Sequence, residues 1–452
     1  MFYRLRRKKQ KMPNYAANPG RVLALSFLIV ILVGAVLLTL PISSRAGRWT
    51  SPLTALFTAT SATCVTGLAT VETGLWWSGF GQLVILVMIQ LGGLGFMTLL
   101  YTVALLLKRR LSISSQLVLM GALNLNSAED ALRVAKHALA ITFSCEGIGA
   151  LLLAFRFIPE YHFGKGLWYS VFHSVSAFCN AGFDLVGGMS HYALDPLVNL
   201  TLILLILSSG LGFFVWEELL RWFRAKHPIS LASRLVLGMT AFLAVSGMVL
   251  FFLLEYNRPE TMGEMNLPQK LMASLFQSVT LRTAGFSTVD QGALSESSKA
   301  LSVLYMLIGG NSGSTAGGIK VSTIIVLLLG LRTGLQGRDK VTVRGRTIRS
   351  RQVFNAMTLT LLVMLAAFVG AILVSIQEKL PFLDCIYETG SAIATVGLST
   401  GITGGLSPQS QLLIICMMYL GRVGILSFSF AVITHRPVEE KIRYPYMDMM
   451  IG

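Results

Sequence analysis

The chain has 452 residues, 54% of them hydrophobic and only 13% charged, against roughly 25% charged in an average soluble domain, which excludes an ordinary water-soluble globular protein. The formal net charge of +16 does not indicate nucleic-acid binding, because the basic residues gather between long apolar runs and do not interleave with aromatics along one face. No nucleic-acid partner is expected.

Apolar runs of roughly 20 residues, the length that crosses a bilayer core, predict eight transmembrane helices. They lie at about Arg21–Pro41, Gly79–Leu107, Ala138–Ile158, Pro196–Leu220, Leu235–Leu254, Ser302–Leu331, Val353–Ile376 and Leu412–Thr434. The first is too long for a signal-peptide core and lacks a small-residue cleavage pattern, so it reads as a retained span. Basic clusters lie at Arg4–Lys11, Lys108–Arg110, Arg221–Lys226, Arg332–Arg351 and Arg436–Arg443. All fall on the side reached after an even number of crossings, so the positive-inside rule places both termini in the cytoplasm. Cys64, Cys145, Cys179, Cys385 and Cys416 show no metal-binding spacing, and their odd number argues against a full disulfide framework.

Between each odd and even span sits a segment too short to cross. The four read FTATSATCVTGLATVETG from Phe57, FHSVSAFCNAGFD from Phe172, FQSVTLRTAGFST from Phe276 and YETGSAIATVGLST from Tyr387. Each places a bulky residue directly after one glycine: Gly67-Leu68, Gly182-Phe183, Gly285-Phe286 and Gly397-Leu398. The glycines are 115, 103 and 112 residues apart, a period of about 110 that marks an internal repeat. About 25 residues beyond each, a small-residue break recurs: LGGLGF at Leu91, SSGLGF at Ser208, IGGNSGSTAGGIK at Ile308 and LGRVGI at Leu420.

Each repeat contains two crossings, so all four loops open outward. The expected fold is an all-α membrane protein with four parallel helix/pore-loop/helix repeats around a pseudo-fourfold pore. Non-helical backbone at membrane depth is tolerated where protein buries it or water reaches it. Four half-helices aimed at the centre would present negative dipole ends that favour a cation, and loop carbonyls would replace its hydration shell. The expected filter is the backbone of Val65, Thr66 and Gly67, of Asn180, Ala181 and Gly182, of Thr283, Ala284 and Gly285, and of Thr395, Val396 and Gly397. One glycine per loop implies a short row of carbonyls and a looser choice between potassium and sodium.

The sixth span is interrupted by Gly309, Gly310, Asn311, Ser312, Gly313, Ser314, Thr315, Ala316, Gly317 and Gly318, followed by Ile319 and Lys320. This stretch lacks helix formers in its centre and is expected to unwind beneath the filter as a gate. A phosphate-binding reading fails because Ile319 separates Gly318 from Lys320, where that motif needs Gly-Lys-Ser/Thr in direct sequence. Arg422 lies at mid-membrane, where an arginine is costly and faces a cavity or a partner. It is expected to project below the filter and hold the gate loop's carbonyls, the alternative being an ion pair with Glu146. Arg282 is expected to point behind its loop toward Glu388 or Asp184. Cys64 and Cys179 sit at equivalent positions too far apart to bridge.

These loops, the glycine-rich break in the third repeat and the arginine in LGRVGILSF resemble the Trk/Ktr/HKT superfamily of cation transporters over nearly the whole chain, most closely KtrB, the membrane subunit type of bacterial Ktr systems. The resemblance implies potassium uptake across the bacterial plasma membrane, with a sodium-selective or sodium-coupled transporter as the alternative. It implies a homodimer with one pore per protomer, gated by a cytoplasmic ring of nucleotide-binding RCK subunits. All four filter glycines are present, the potassium-permissive pattern among plant relatives. The chain is expected to need no cofactor of its own, with ATP or ADP acting only through the partner. The basic Arg332–Arg351 loop is a candidate docking surface for that ring.

The expected organisation is a cytoplasmic tail over 1–20, repeat 1 over 21–110, linker and repeat 2 over 111–227, repeat 3 over 228–350, repeat 4 over 351–436 and a tail over 437–452 docked at the dimer interface. A carrier for small solutes would show inverted repeats and ionisable midplane residues. An embedded enzyme would show a motif such as the metalloprotease HExxH, and none is present.

Overall fold

The computed structural model describes residues 19–95 and 128–424. Expectations placed on the N-terminal basic cluster, on Lys108–Arg110, on the ends of the second and eighth spans and on the C-terminal tail lie outside the described residues. In chain order, α1 (Pro19–Thr39), α2 (Pro52–Cys64), the single turn α3 (Thr73–Trp76) and α4 (Gly79–Leu94) come first. They are followed by α5 (Ala128–Tyr161), α6 (Phe163–Cys179), α7 (Pro196–Gly210) and α8 (Phe213–Ala225). Next come α9 (Leu231–Glu255), α10 (Leu267–Thr280), α11 (Glu296–Leu307) and α12 (Val321–Leu335). An antiparallel hairpin of β1 (Thr342–Val343) and β2 (Arg346–Thr347) leads to α13 (Ser350–Glu378), α14 (Phe382–Ala394) and α15 (Pro408–Val423).

Helix starts are set by local chemistry. Asp195 caps α7 by accepting from Leu197 N and Val198 N, with Pro196 as its first residue, where a missing N–H costs nothing. Asn266 and Gln269 form a reciprocal capping box on α10, satisfying two otherwise orphaned donors. Ser78 and Ser230 cap α4 and α9.

The four short helices α2, α6, α10 and α14 have 13, 17, 14 and 13 residues. At about 1.5 Å per residue they reach roughly 20–26 Å, short of a roughly 30 Å hydrocarbon core. Their C-terminal halves are buried, apart from a half-buried Leu275. Among the described residues, three helices alone are long and apolar enough to cross a membrane: Val134–Tyr161, Leu231–Glu255 and Ser350–Glu378. Their apolar residues face outward, with Leu253 67%, Leu361 67% and Ile376 71% exposed, an outer surface suited to lipid and costly in water.

The run Pro196–Leu220 is not one straight span. α7 and α8 meet at 99° across a two-residue break, because Gly212 adopts φ +87, a conformation that ends a helix and that glycine adopts at little steric cost. Gly95 ends α4 and Gly424 ends α15 in the same way. The small-residue breaks foreseen after each loop are therefore all real helix ends.

The core forms two main clusters. Phe157, Phe172, Phe178 and Phe183 of the first half pack with Phe276 and Phe286 of the third short helix and its loop. Phe57 and Leu68 from near the chain's start pack with Phe251, Tyr387, Leu398 and Met418. Each loop is thus held by side chains from distant parts of the sequence.

Candidate functional site

The four loops after α2, α6, α10 and α14 share an uncommon backbone. Val65 (φ 56), Asn180 (φ 59), Thr283 (φ 67) and Thr395 (φ 53) are left-handed, and so are Gly67 (φ 97), Gly182 (φ 69), Gly285 (φ 79) and Gly397 (φ 94) two residues later. The residue between each pair is not. In a plain extended strand successive carbonyls point to opposite sides, and alternating the hand of φ turns them toward one side. Val65, Thr283 and Thr395 are β-branched, for which this region is a true outlier. Conformations of this kind cost about 1–3 kcal/mol each and gather where geometry is needed for function.

The four glycines close a ring in chain order. A methyl on Gly67 would sit 2.6 Å from the Ala181 carbonyl oxygen, one on Gly182 2.9 Å from Ala284 O, and one on Gly285 2.5 Å from Val396 O. A methyl on Gly397 would run into Thr66 O, which completes the circle. Hydroxyls brace each loop from behind. Gly67 N donates to Ser61 Oγ at 3.0 Å and Gly397 N to Ser391 Oγ at 3.0 Å, while Ser176 Oγ donates to Phe183 O at 2.8 Å and Thr280 Oγ1 to Phe286 O at 2.5 Å. Above the ring lies a cavity of about 250 Å³ lined by all four glycines together with Asp184, Ser287, Ser399 and Thr403.

Beneath the ring, α11 ends at Leu307 and α12 begins at Val321. The loop between them is pinched at its base, where Gly309 N donates to Ile319 O and Ile319 N to Leu307 O, both at 3.0 Å. Its tip reaches the break between α7 and α8, with Asn311 N donating to Gly210 O and Phe213 N to Gly313 O, both at 2.9 Å. Thr315 Oγ1 donates to Phe178 O at 3.1 Å and accepts from Asn180 Nδ2 at 3.0 Å, which joins this loop to the second of the four loops above it. Gly317 lies so close to the fourth that a methyl there would strike Thr395 Oγ1.

Arg422 and Lys320 hold two consecutive carbonyls of this loop. Arg422 Nη1 donates to Thr315 O at 2.5 Å and Lys320 Nζ to Ala316 O at 2.5 Å. Arg422 Nη2 donates to Gly92 O and, at 3.4 Å, to Gly93 O, so one guanidinium links the loop to the end of α4. The alternative Arg422–Glu146 pair does not form. Glu146 instead accepts from Gln90 Nε2 at 3.2 Å, with Cys179 Sγ 3.8 Å from its other oxygen.

The expected pairing of Arg282 with Glu388 or Asp184 also fails. Arg282 is buried, and its Nε and Nη2 have no partner among the described residues. Asp184 Oδ1 is taken by the backbone N–H groups of Val186, Gly187 and Gly188, and Glu388 by Thr403. Cys64 and Cys179 are buried free thiols, as expected. Sequence reasoning missed the Asn180 side chain as a link between loops. Its only signal was being the one amide among Val65, Asn180, Thr283 and Thr395.

Comparison with known proteins agrees over nearly the whole length. A family model described as TrkH, cation transport protein, matches residues 2–444. The chain is 39% identical to the potassium/sodium uptake protein NtpJ of Enterococcus hirae, over 96% of this chain and 97% of that one. It is also 39% identical to the Ktr system potassium uptake protein B of Bacillus subtilis, over 96% and 97% respectively. The crystal structure of the potassium transporter TrkH from Vibrio parahaemolyticus superposes with a TM-score of 0.67 over 95% of this chain and 87% of that one, at 20% identity.

Proposed function

The chain belongs to the TrkH family of cation transport proteins, and from that membership we propose that it takes up potassium across the plasma membrane through a pore at the centre of its four loops. It is a membrane transport protein and not an enzyme. The observation that carries the proposal is the closed ring in which each loop glycine faces the carbonyl before the next. That arrangement suits a dehydrated monovalent cation, whose water is replaced by backbone oxygens and whose charge is met by four helix C-termini.

In this reading the eight spans form four parallel repeats around a pseudo-fourfold axis, with bounds at 21–110, 111–227, 228–350 and 351–436. The filter is Val65–Gly67, Asn180–Gly182, Thr283–Gly285 and Thr395–Gly397. The gate is Gly309–Gly318 with Lys320 and Arg422. Two cationic side chains below a cation filter raise a barrier as well as fastening the loop. Both termini are cytoplasmic, the protomers pair as a homodimer, and a cytoplasmic RCK-type ring that binds ATP or ADP opens the gate. Relatives named as one component of a Ktr system support such a partner. The hairpin Thr342–Thr347 and its surrounding arginines are the proposed contact. The name of the Enterococcus relative, which includes sodium, supports a second reading in which sodium is also carried or coupled.

Growth of a potassium-uptake-deficient bacterium at limiting potassium tests the proposal. Rescue is expected when the chain is expressed with a cognate RCK subunit, and failure despite normal membrane expression would overturn it.

A further inference from the structure

We propose that Glu388, with the hydroxyls of Thr403 and Ser399, forms a second cation site in the wall of the outer vestibule, suited to a small monovalent ion the size of sodium. The proposal rests on the four-loop filter described above but concerns a different set of oxygens.

Glu388 lies on α14, fully buried, one layer behind Ser399 and Thr403, which line the cavity above the ring. Its Oε1 accepts from Thr403 Oγ1, and its Oε2 is buried with no partner among the described residues. Thr403 Oγ1 also lies 2.9 Å from Ser399 Oγ, which joins the two hydroxyls. Ser399 Oγ also accepts from Gly401 N at 3.0 Å. No described cationic side chain pairs with Glu388, and the nearby Lys299 is taken by Asp384 at 3.0 Å. A buried carboxyl in this state takes up either a proton or a counter-ion.

The other loops show that the carboxylate is not needed to brace the segment beyond the filter. Nine residues before each filter glycine stand Thr58, His173, Phe276 and Glu388. His173 Nε2 accepts from Leu185 N at 3.2 Å. In the third loop, Gln277 and Gln291 exchange amide bonds at 2.7 and 3.1 Å, with Tyr387 Oη donating to Gln291 at 2.8 Å. Neutral groups do the bracing in both places, which leaves the negative charge of Glu388 unexplained by structure alone. Its ligand class follows from the donors. Hard oxygens suit an alkali or alkaline-earth ion, and one carboxylate neutralises one positive charge. No group of three His, Cys, Asp or Glu side chains that could hold a higher charge lies among the described residues. Thr403 Oγ1 stands within hydrogen-bond reach of Glu388 Oε1 and, at 2.9 Å, of Ser399 Oγ, a close grouping that favours the smaller sodium over potassium.

The test uses the purified full chain with potassium held at saturation to fill the ring, sodium replacing choline at constant ionic strength, and the thermal unfolding midpoint as readout. Sodium is expected to raise the wild-type midpoint. Glu388→Gln, which keeps a carbonyl to accept from Thr403, is expected to shift the half-saturating sodium concentration upward at least tenfold, and Ser399→Ala severalfold. Both variants should keep the wild-type response to potassium in choline, which shows that they are folded. An equal sodium response in wild type and Glu388→Gln overturns the proposal. So does a wild-type midpoint that ignores sodium and moves only with pH, since a proton then fills the site. A wild type that ignores potassium as well would overturn the filter itself, and the second site with it.

Discussion

Arg422 in α15 donates to the carbonyl of Thr315, 107 residues earlier in the chain, at 2.5 Å, and the same guanidinium reaches Gly92 O in α4. One side chain thereby ties together three segments that meet below the filter. Hydrogen bonds to a charged group contribute about 1.5–3 kcal/mol each, and about 1.4 kcal/mol shifts a two-state equilibrium tenfold. Arg422→Ala should therefore raise uptake in the absence of the RCK partner by roughly tenfold to a hundredfold. Flux assays in proteoliposomes check this, and an unchanged or lower rate in a folded variant would remove the gate role.

Phe213 N–H is the donor that fastens Gly313 O to the start of α8. Proline is tolerated at a helix's first position, and the preceding residue is Gly212, so Phe213→Pro should delete this bond and little else of the backbone. Uptake should exceed that of a Phe213→Ala control, which loses the same ring but keeps the N–H. Equal rates would mean that α8 does not restrain the loop.

Gly317 lies against Thr395 and Ala394. Gly317→Ala has no room in the closed arrangement and should hold the loop away from the filter, giving uptake that no longer depends on the partner. Gly334→Ala is the control: neither glycine has a positive φ, and a methyl on Gly334 meets nothing within 4 Å. Like behaviour of the two variants would count against a local clash.

Gly67→Ser places a side chain 2.6 Å from the Ala181 carbonyl oxygen at φ +97. The first quarter of the ring must distort, and the potassium over sodium preference should fall severalfold while transport persists. Competition between the two ions in uptake assays reads this directly. An unaltered preference would place selectivity elsewhere.

The loops were legible because their signal is local: a run of small residues, one glycine and a bulky neighbour, four times in register. The same holds for the unwound stretch 309–318, whose composition cannot support a helix, and for Arg422, whose cost at mid-membrane demanded a partner. The sequence could not reveal which partner, since Thr315 and Gly92 approach Arg422 only once distant segments fold together. Arg282 shows the converse. Opposite charges suggested a pair with Glu388 or Asp184, but Asp184 is held by its own loop's N–H groups and Glu388 meets Thr403, not Arg282, through one oxygen. The 99° bend between α7 and α8 was hidden because hydropathy runs smoothly through Leu211 and Gly212.

In the proposed gate, the pinched base of the loop, where Leu307 and Gly309 bond to Ile319, sets what must move on opening. Its two ends are already fastened together, so α11 and α12 need not part and the loop swings as a flap on one hinge. The chain-closure entropy is spent at the base and barely grows with a longer tip. Flap length can therefore vary between relatives without loosening the bundle, and a separate force on the flap is enough to move it.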